Sequence, residues 1–154
     1  MDALKHLLIV FHSQGGGTRS LADAAYAGAR AEEEVETRMR PALEADLDDL
    51  LWADAVLFGT PENFGYMSGA LKDFFDRTFY PAQGRVEQMP YAVFVTAGND
   101  GSGALTSIER IARGYPLRRV AEPIVHSGPV DDAAIERCRE LGQTLAAGLA
   151  LGIF

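Results

Sequence analysis

Apolar and polar positions along the chain follow two alternating periods. Residues 4–11, LKHLLIVF, form an apolar run of strand length. The segment 18–31 then places Leu21, Ala24, Ala25 and Gly28 on one helical face. VETRM, 35–39, alternates apolar with polar as a half-exposed strand does. DAVLFGT, 54–60, reads as a buried strand stopped by Gly59 and Pro61. Ser68 can cap a helix whose inward face is Leu71, Phe74, Phe75 and Phe79. YAVFVTA, 91–97, is the next buried strand, and Leu105, Ile108, Ile111 and Ala112 give another helical stripe. RRVAEPIVH, 118–126, is a fifth strand whose Pro123 suggests an edge position or a bulge. Asp131 or Asp132 caps a last helix with the stripe Ile135, Cys138, Leu141, Leu145 and Leu149.

A βα unit thus repeats along the chain without an internal sequence repeat, a linker or a domain boundary. The first, third and fourth strands are near-continuously apolar. Such strands are buried on both faces, which requires a parallel sheet covered by helices on each side. The expectation is one doubly wound α/β domain over residues 1–154. In open sheets of this kind, ligands bind beyond the C-terminal strand ends, where the strand order reverses. Those ends are HSQGGGT, TPENFGYMS and TAGNDGSG, three polar, glycine-containing loops on one rim.

Composition narrows the partners. The 154 residues carry a net charge of −8, which argues against nucleic acid or an anionic membrane and leaves a basic protein partner possible. Cys138 is the only cysteine, so no internal disulfide forms and a reducing compartment is the natural home. LLIVF is too short for a signal peptide, and the apolar C-terminal stretch falls short of the roughly 20 residues that span a bilayer. A cytoplasmic chain without membrane insertion is expected. His6 and His126 lack ligand spacing, so no metal is expected.

The first loop excludes some phosphate binders. GGGTRS offers no lysine, which argues against a P-loop nucleoside triphosphatase. Gly15, Gly17 and Ser20 approach the dinucleotide fingerprint without its third glycine, and RMRP ends the second strand without an acidic residue for a ribose. Arg38 or Arg40 could in principle meet a 2′-phosphate, so that reading stays open. A receiver domain needs acidic residues after the first strand, where Phe11 and His12 stand. What remains is the pattern Ser13, Gly16, Thr18: two hydroxyls and free backbone amides at a helix N-terminus, able to wrap a phosphate monoester. Arg19 follows in the first helical turn and reads better as a solvated surface arginine.

VFHSQGGGTRSLA, DAVLFGTPENFGYMSGALKDFFDR and VFVTAGNDGSGALTSIERI resemble, in order, the three FMN-binding loops of the flavodoxin-like superfamily. The resemblance covers nearly the whole chain. It is nearest to the NADPH-dependent FMN reductases and the Trp-repressor-binding-protein-type NAD(P)H:quinone oxidoreductases. It implies a five-stranded parallel sheet in the order 2-1-3-4-5. It also implies that Ser13, Gln14, Gly15, Gly16, Gly17 and Thr18 hold the FMN phosphate. Pro61, Glu62, Asn63, Phe64 and Gly65 would line the ribityl chain and the ring near N5. Thr96, Ala97, Gly98 and Asn99 would face the pyrimidine end. Physical reading agrees with this assignment: Phe64 offers a flat apolar surface, and Gly65 and Gly98 free the backbone beside a cofactor.

Two functions follow from the resemblance. One is an oxidoreductase taking electrons from NAD(P)H through FMN to a quinone or similar small acceptor, with no catalytic side chain because the cofactor carries the chemistry. His12, a loop histidine with no paired acid in view, and Asp100, read as a solvated loop carboxylate, stay outside the catalytic set. The other is a flavodoxin-type carrier between protein partners, which the acidic charge favours. TAGNDGSG lacks the Tyr or Trp that commonly stacks on the ring in flavodoxins, and the middle stretch looks like the reductases; both features favour the enzyme. A homodimer is a further expectation of the resemblance.

Overall fold

In the computed structural model, which describes residues 3–154, the element order is β1 (Lys5–Phe11), α1 (Gly17–Ala29), β2 (Val35–Pro41), α2 (Leu47–Trp52), β3 (Ala55–Asn63), β4 (Tyr66–Met67), α3 (Gly69–Ala82), β5 (Pro90–Ala97), α4 (Ser102–Gly114), β6 (Arg118–Arg119), β7 (Ile124–Ser127) and α5 (Asp132–Ala150). The parallel sheet runs β2-β1-β3-β5-β6, with β7 also on β5. This is the expected order, except that the fifth strand is broken. β6 pairs with Pro90 and Tyr91, whereas β7 pairs with Phe94 to Ala97. The break contains Pro123, which has no N–H to give to a ladder.

Alternation along β1 sorts its side chains between two cores. Leu7, Ile9 and Phe11 join Leu57, Phe94, Leu21, Cys138 and Leu145 on the α1/α5 face. Leu8 and Val10 join Phe58, Phe74, Phe75, Val93 and Ile108 on the α2/α3/α4 face. Ser68 caps α3 by accepting from the Leu71 amide at 3.2 Å, and Asp131 caps α5 by accepting from the Ala134 amide at 2.8 Å. Helices α1 and α5 approach so closely that a Cβ on Gly28 would stand 1.9 Å from the Arg139 carbonyl oxygen. One on Gly142 would stand 2.0 Å from the Ala25 oxygen.

Two local expectations are corrected. The third strand does not stop at Gly59 and Pro61 but continues to Asn63. Gly59 is tolerated because the Phe94 ring fills the space of its missing side chain. The Gly59 carbonyl accepts from the His12 amide at 3.1 Å, so Pro61, two positions on, faces an edge that β1 has already left. The second correction is α2, a six-residue helix closed by reciprocal bonds between Asp46 and Asp49, which the periodicity does not reveal. Trp52 at its end packs between the His6 ring, stacked at 4.2 Å, and the Arg38 guanidinium at 4.0 Å.

No helix among the described residues is long and apolar enough to cross a membrane.

Candidate functional site

The C-terminal ends of β1, β3, β5 and β7 surround a cleft of about 430 Å³. Gln14, Gly15, Gly17 and Thr18 line it from the first loop. Pro61 and Glu62 line it from β3, and Thr96, Ala97 and Gly98 from the end of β5. The three loops singled out in the sequence therefore meet at one place. No aromatic side chain is among the residues that line the cleft.

The first loop is built around Ser13. Its Oγ accepts from the Gly16 amide at 3.2 Å and the Arg19 amide at 3.1 Å, which holds the turn into α1. Gly16 takes φ +93°, a conformation that excludes a side chain without strain. Among the described residues, the amides of Gly15, Gly17 and Thr18 donate to no protein group. Open space surrounds the missing side chains of Gly15 and Gly16. Free amides at the positive end of a thirteen-residue helix fit a phosphate. Buried Thr18 shares a 2.7 Å hydrogen bond with Thr96, joining the first loop to β5. Arg19 pairs with Asp23 at 3.2 Å and lies over the Phe11 ring, as a surface arginine.

The second loop is a hairpin in which Asn63 pairs with Tyr66 around a turn formed by Phe64 and Gly65. Both turn residues have positive φ, +54° at Phe64 and +70° at Gly65. Phe64 is fully exposed, so its ring stands free at the rim of the cleft and is not tucked into the core. The Asn63 side-chain amide donates to the Gln14 side-chain carbonyl at 2.8 Å, tying the hairpin to the first loop. Glu62 turns the other way. One carboxylate oxygen accepts from the amides of Gly103 and Ala104 in the first turn of α4.

The third loop leaves β5 through Thr96, Ala97 and Gly98. The Asn99 carbonyl accepts from the Ser127 hydroxyl, which fastens this loop to β7. Asp100 accepts from the Ser102 amide and hydroxyl, and these bonds hold its carboxyl below the usual carboxylate range. It serves the start of α4.

Among the sequence-derived candidates, Ser13, Gly16, Asn63, Phe64, Gly65 and Asn99 adjoin the cleft without lining it. Conversely, Gly128, Pro129 and Val130 after β7 do line it and were missed. The signal was available: they end the fifth strand on the same rim. Arg38 and Arg40, weighed for a 2′-phosphate, instead hold buried Asp49 at 2.8 and 3.6 Å.

Comparison with known proteins identifies the fold and the family. A flavodoxin of Aquifex aeolicus is 28% identical, the alignment covering 94% of this chain and 87% of that one. An NAD(P)H dehydrogenase (quinone) of Acidithiobacillus ferrooxidans is 29% identical over 68% of this chain and 63% of its own length. An archaeal flavodoxin structure superposes with a TM-score of 0.79 at 23% identity, covering 94% of this chain and 99% of that one. A WrbA-like flavodoxin structure from Agrobacterium tumefaciens gives 0.76 at 21%, covering 93% and 96%. These structures establish the flavodoxin-like fold. Residues 21–113, which include the second and third loops, match the family model described as NADPH-dependent FMN reductase. The chain belongs to that FMN-binding family.

Proposed function

We propose that this chain is an FMN-containing oxidoreductase that takes electrons from NAD(P)H and delivers them to a quinone or a similar small acceptor. The observation that carries the reading is that the third loop meets the cleft only through Thr96, Ala97 and Gly98, with no aromatic side chain. With no third-loop ring over it, the space beside a cofactor bound there would be free for a second planar ring. Two relatives bearing the name NAD(P)H dehydrogenase (quinone) support it.

Gln14, Gly15, Gly17 and Thr18 would surround the phosphate with amides and a hydroxyl, while Ser13 keeps their turn in shape. Pro61, Glu62, Asn63, Phe64 and Gly65 would line the ribityl chain and one end of the ring. Thr96, Ala97, Gly98 and Asn99 would meet its pyrimidine end with backbone groups. When bound, FMN supplies a two-electron acceptor that can pass its electrons on singly or in pairs. The protein's part is to orient the ring, keep one face accessible and set its polarity.

The decisive experiment mixes FMN-loaded protein with NADH or NADPH without oxygen and follows flavin absorbance. Bleaching within seconds is expected. Protein that stays oxidised until a separate reductase is added would instead be a carrier, the reading that the −8 charge and the Aquifex relative favour.

A further inference from the structure

A second cavity of about 360 Å³ lies between the turn of the β3–β4 hairpin and helix α4. It is lined by Gly65, Tyr66, Ser102, Gly103, Thr106, Ser107 and Arg110. The hairpin and α4 meet there with no room for a side chain: a Cβ on Gly103 would stand 2.0 Å from the Gly65 carbonyl oxygen. Glu62, which lines the flavin cleft, fixes the same helical turn through Gly103 and Ala104. Strand β3 and the hairpin it opens thus contribute to both cavities, Pro61 and Glu62 to the first and Gly65 and Tyr66 to the second.

Not all of its polar groups are free. The Ser107 hydroxyl donates to the Ala104 carbonyl and accepts from the Met67 amide, and Ser102 is held by Asp100. Thr106 and Arg110 are different. Neither side chain has a hydrogen-bond or ion-pair partner among the described residues. The carboxylates nearby are engaged elsewhere: Asp76 binds Lys72, and Glu109 binds Arg119. Ser102, Thr106 and Arg110 stand four residues apart in turn, so they share one helix face. Arg110 lies about 12 Å along the axis from Ser102, at 1.5 Å per residue. Tyr66, 41% exposed, adds a flat apolar wall.

An unpaired guanidinium and a free hydroxyl beside an aromatic wall match a phosphorylated nucleoside. The arginines of β2 cannot serve, because Asp49 holds both. We infer that this cavity receives the adenylate end of NADPH, with the 2′-phosphate on Arg110 and Thr106 and the adenine against Tyr66. The dinucleotide would then cross the hairpin, its nicotinamide reaching the flavin cleft. The inference rests on the reductase reading and adds to it a preference for NADPH over NADH, set by Arg110.

The test uses FMN-loaded full-length protein and titrates adenosine 2′,5′-bisphosphate and adenosine 5′-monophosphate by calorimetry. The bisphosphate should bind roughly tenfold or more tightly, as charge-assisted bonds to a phosphate imply. Arg110→Gln should remove that difference and Thr106→Val should reduce it, with thermal melts unchanged. Arg113→Gln, an exposed arginine in the last turn of α4, should leave it intact. Equal binding of the two nucleotides, or a preference that survives Arg110→Gln, would overturn the site. Bleaching by NADH and NADPH separates the two claims. If neither bleaches the flavin but the Arg110-dependent preference holds, the site stands and the reductase reading fails. If both bleach it equally and no preference exists, the reductase reading stands and the site fails.

Discussion

Glu62 and Gly103, 41 positions apart, are joined by a hydrogen bond of 3.0 Å from the Gly103 amide to the Glu62 carboxylate. The same oxygen accepts from Ala104 at 3.2 Å, so a residue lining the cleft proposed for FMN caps the helix that follows the third loop. A carboxylate is well matched to the positive end of α4. Glu62→Ala should therefore loosen both loops at once, lowering stability by about 1–2 kcal/mol and weakening FMN binding roughly tenfold. Glu62→Gln keeps an acceptor and should lose less. Thermal melts and FMN fluorescence titration give both numbers, and an unaltered FMN affinity in Glu62→Ala would contradict the coupling.

Ser13 holds the first loop, the proposed phosphate cradle, through the amides of Gly16 and Arg19. Ser13→Ala removes the acceptor of two amides and should cost about 1 kcal/mol of stability. Its effect on binding should be selective. FMN affinity falls several-fold while riboflavin, which lacks the phosphate, binds as before. Equal weakening of both ligands would place the damage outside a phosphate cradle.

Phe64 occupies the left-handed region at φ +54° with its ring in solvent. A non-glycine residue there is strained by roughly 1–2 kcal/mol. Phe64→Gly should raise the melting temperature of the cofactor-free protein by a few degrees while reducing FMN affinity. Measuring both on one sample distinguishes a retained functional strain from a structural need: if stability falls instead, the ring supports the fold.

The approach of α1 to α5 sets the sign of two glycine substitutions. Gly142→Ala gains up to about 1 kcal/mol of helix propensity, yet its Cβ meets the Ala25 carbonyl oxygen at 2.0 Å. Separating two packed helices outweighs that gain, so a net loss of roughly 1–3 kcal/mol is expected. Gly69→Ala, at the first position of α3 with nothing within 4 Å, should be neutral or stabilising. Denaturant melts of the pair provide the comparison.

Burial on the α1/α5 face pushes the Cys138 thiol from its ordinary 9.0 up to about 12. Burial likewise raises the Tyr115 hydroxyl to about 12; it donates to the Phe75 carbonyl at 2.8 Å. Above pH 9 the unfolded chain releases protons that the folded chain retains, so stability is full below pH 9 and declines toward pH 12. Cys138→Ala should soften the onset of that decline, and iodoacetamide at pH 8 should label Cys138 only after unfolding. Rapid labelling of native protein would refute this.

The parallel, helix-covered sheet was legible because strands buried on both faces leave unbroken apolar runs, as LLIV and AVLF do in β1 and β3, whereas its strand order came from the family resemblance alone. Helix α2 was not, since six residues are too few for a periodic stripe and its start is signalled only by Asp46 and Asp49. The continuation of β3 through Pro61 depends on where β1 ends, which no local pattern records. In the candidate site, loop positions could be read from glycines and hydroxyls at strand ends. Side-chain partners could not: the Glu62 carboxylate is held by amides distant in sequence, and Arg38 and Arg40 by Asp49.

The broken fifth strand also bears on how this molecule behaves in a crowded solution. An uninterrupted outer strand would offer a row of free amides and carbonyls onto which another chain could add. Here that margin is divided into segments of two and four residues, and exposed Arg118 and Arg119 form the first. At the opposite margin, β2 presents Arg38 and Arg40 and ends in Pro41. Neither border is a long apolar ribbon. The break between β6 and β7 therefore also guards the sheet against growing into its neighbours.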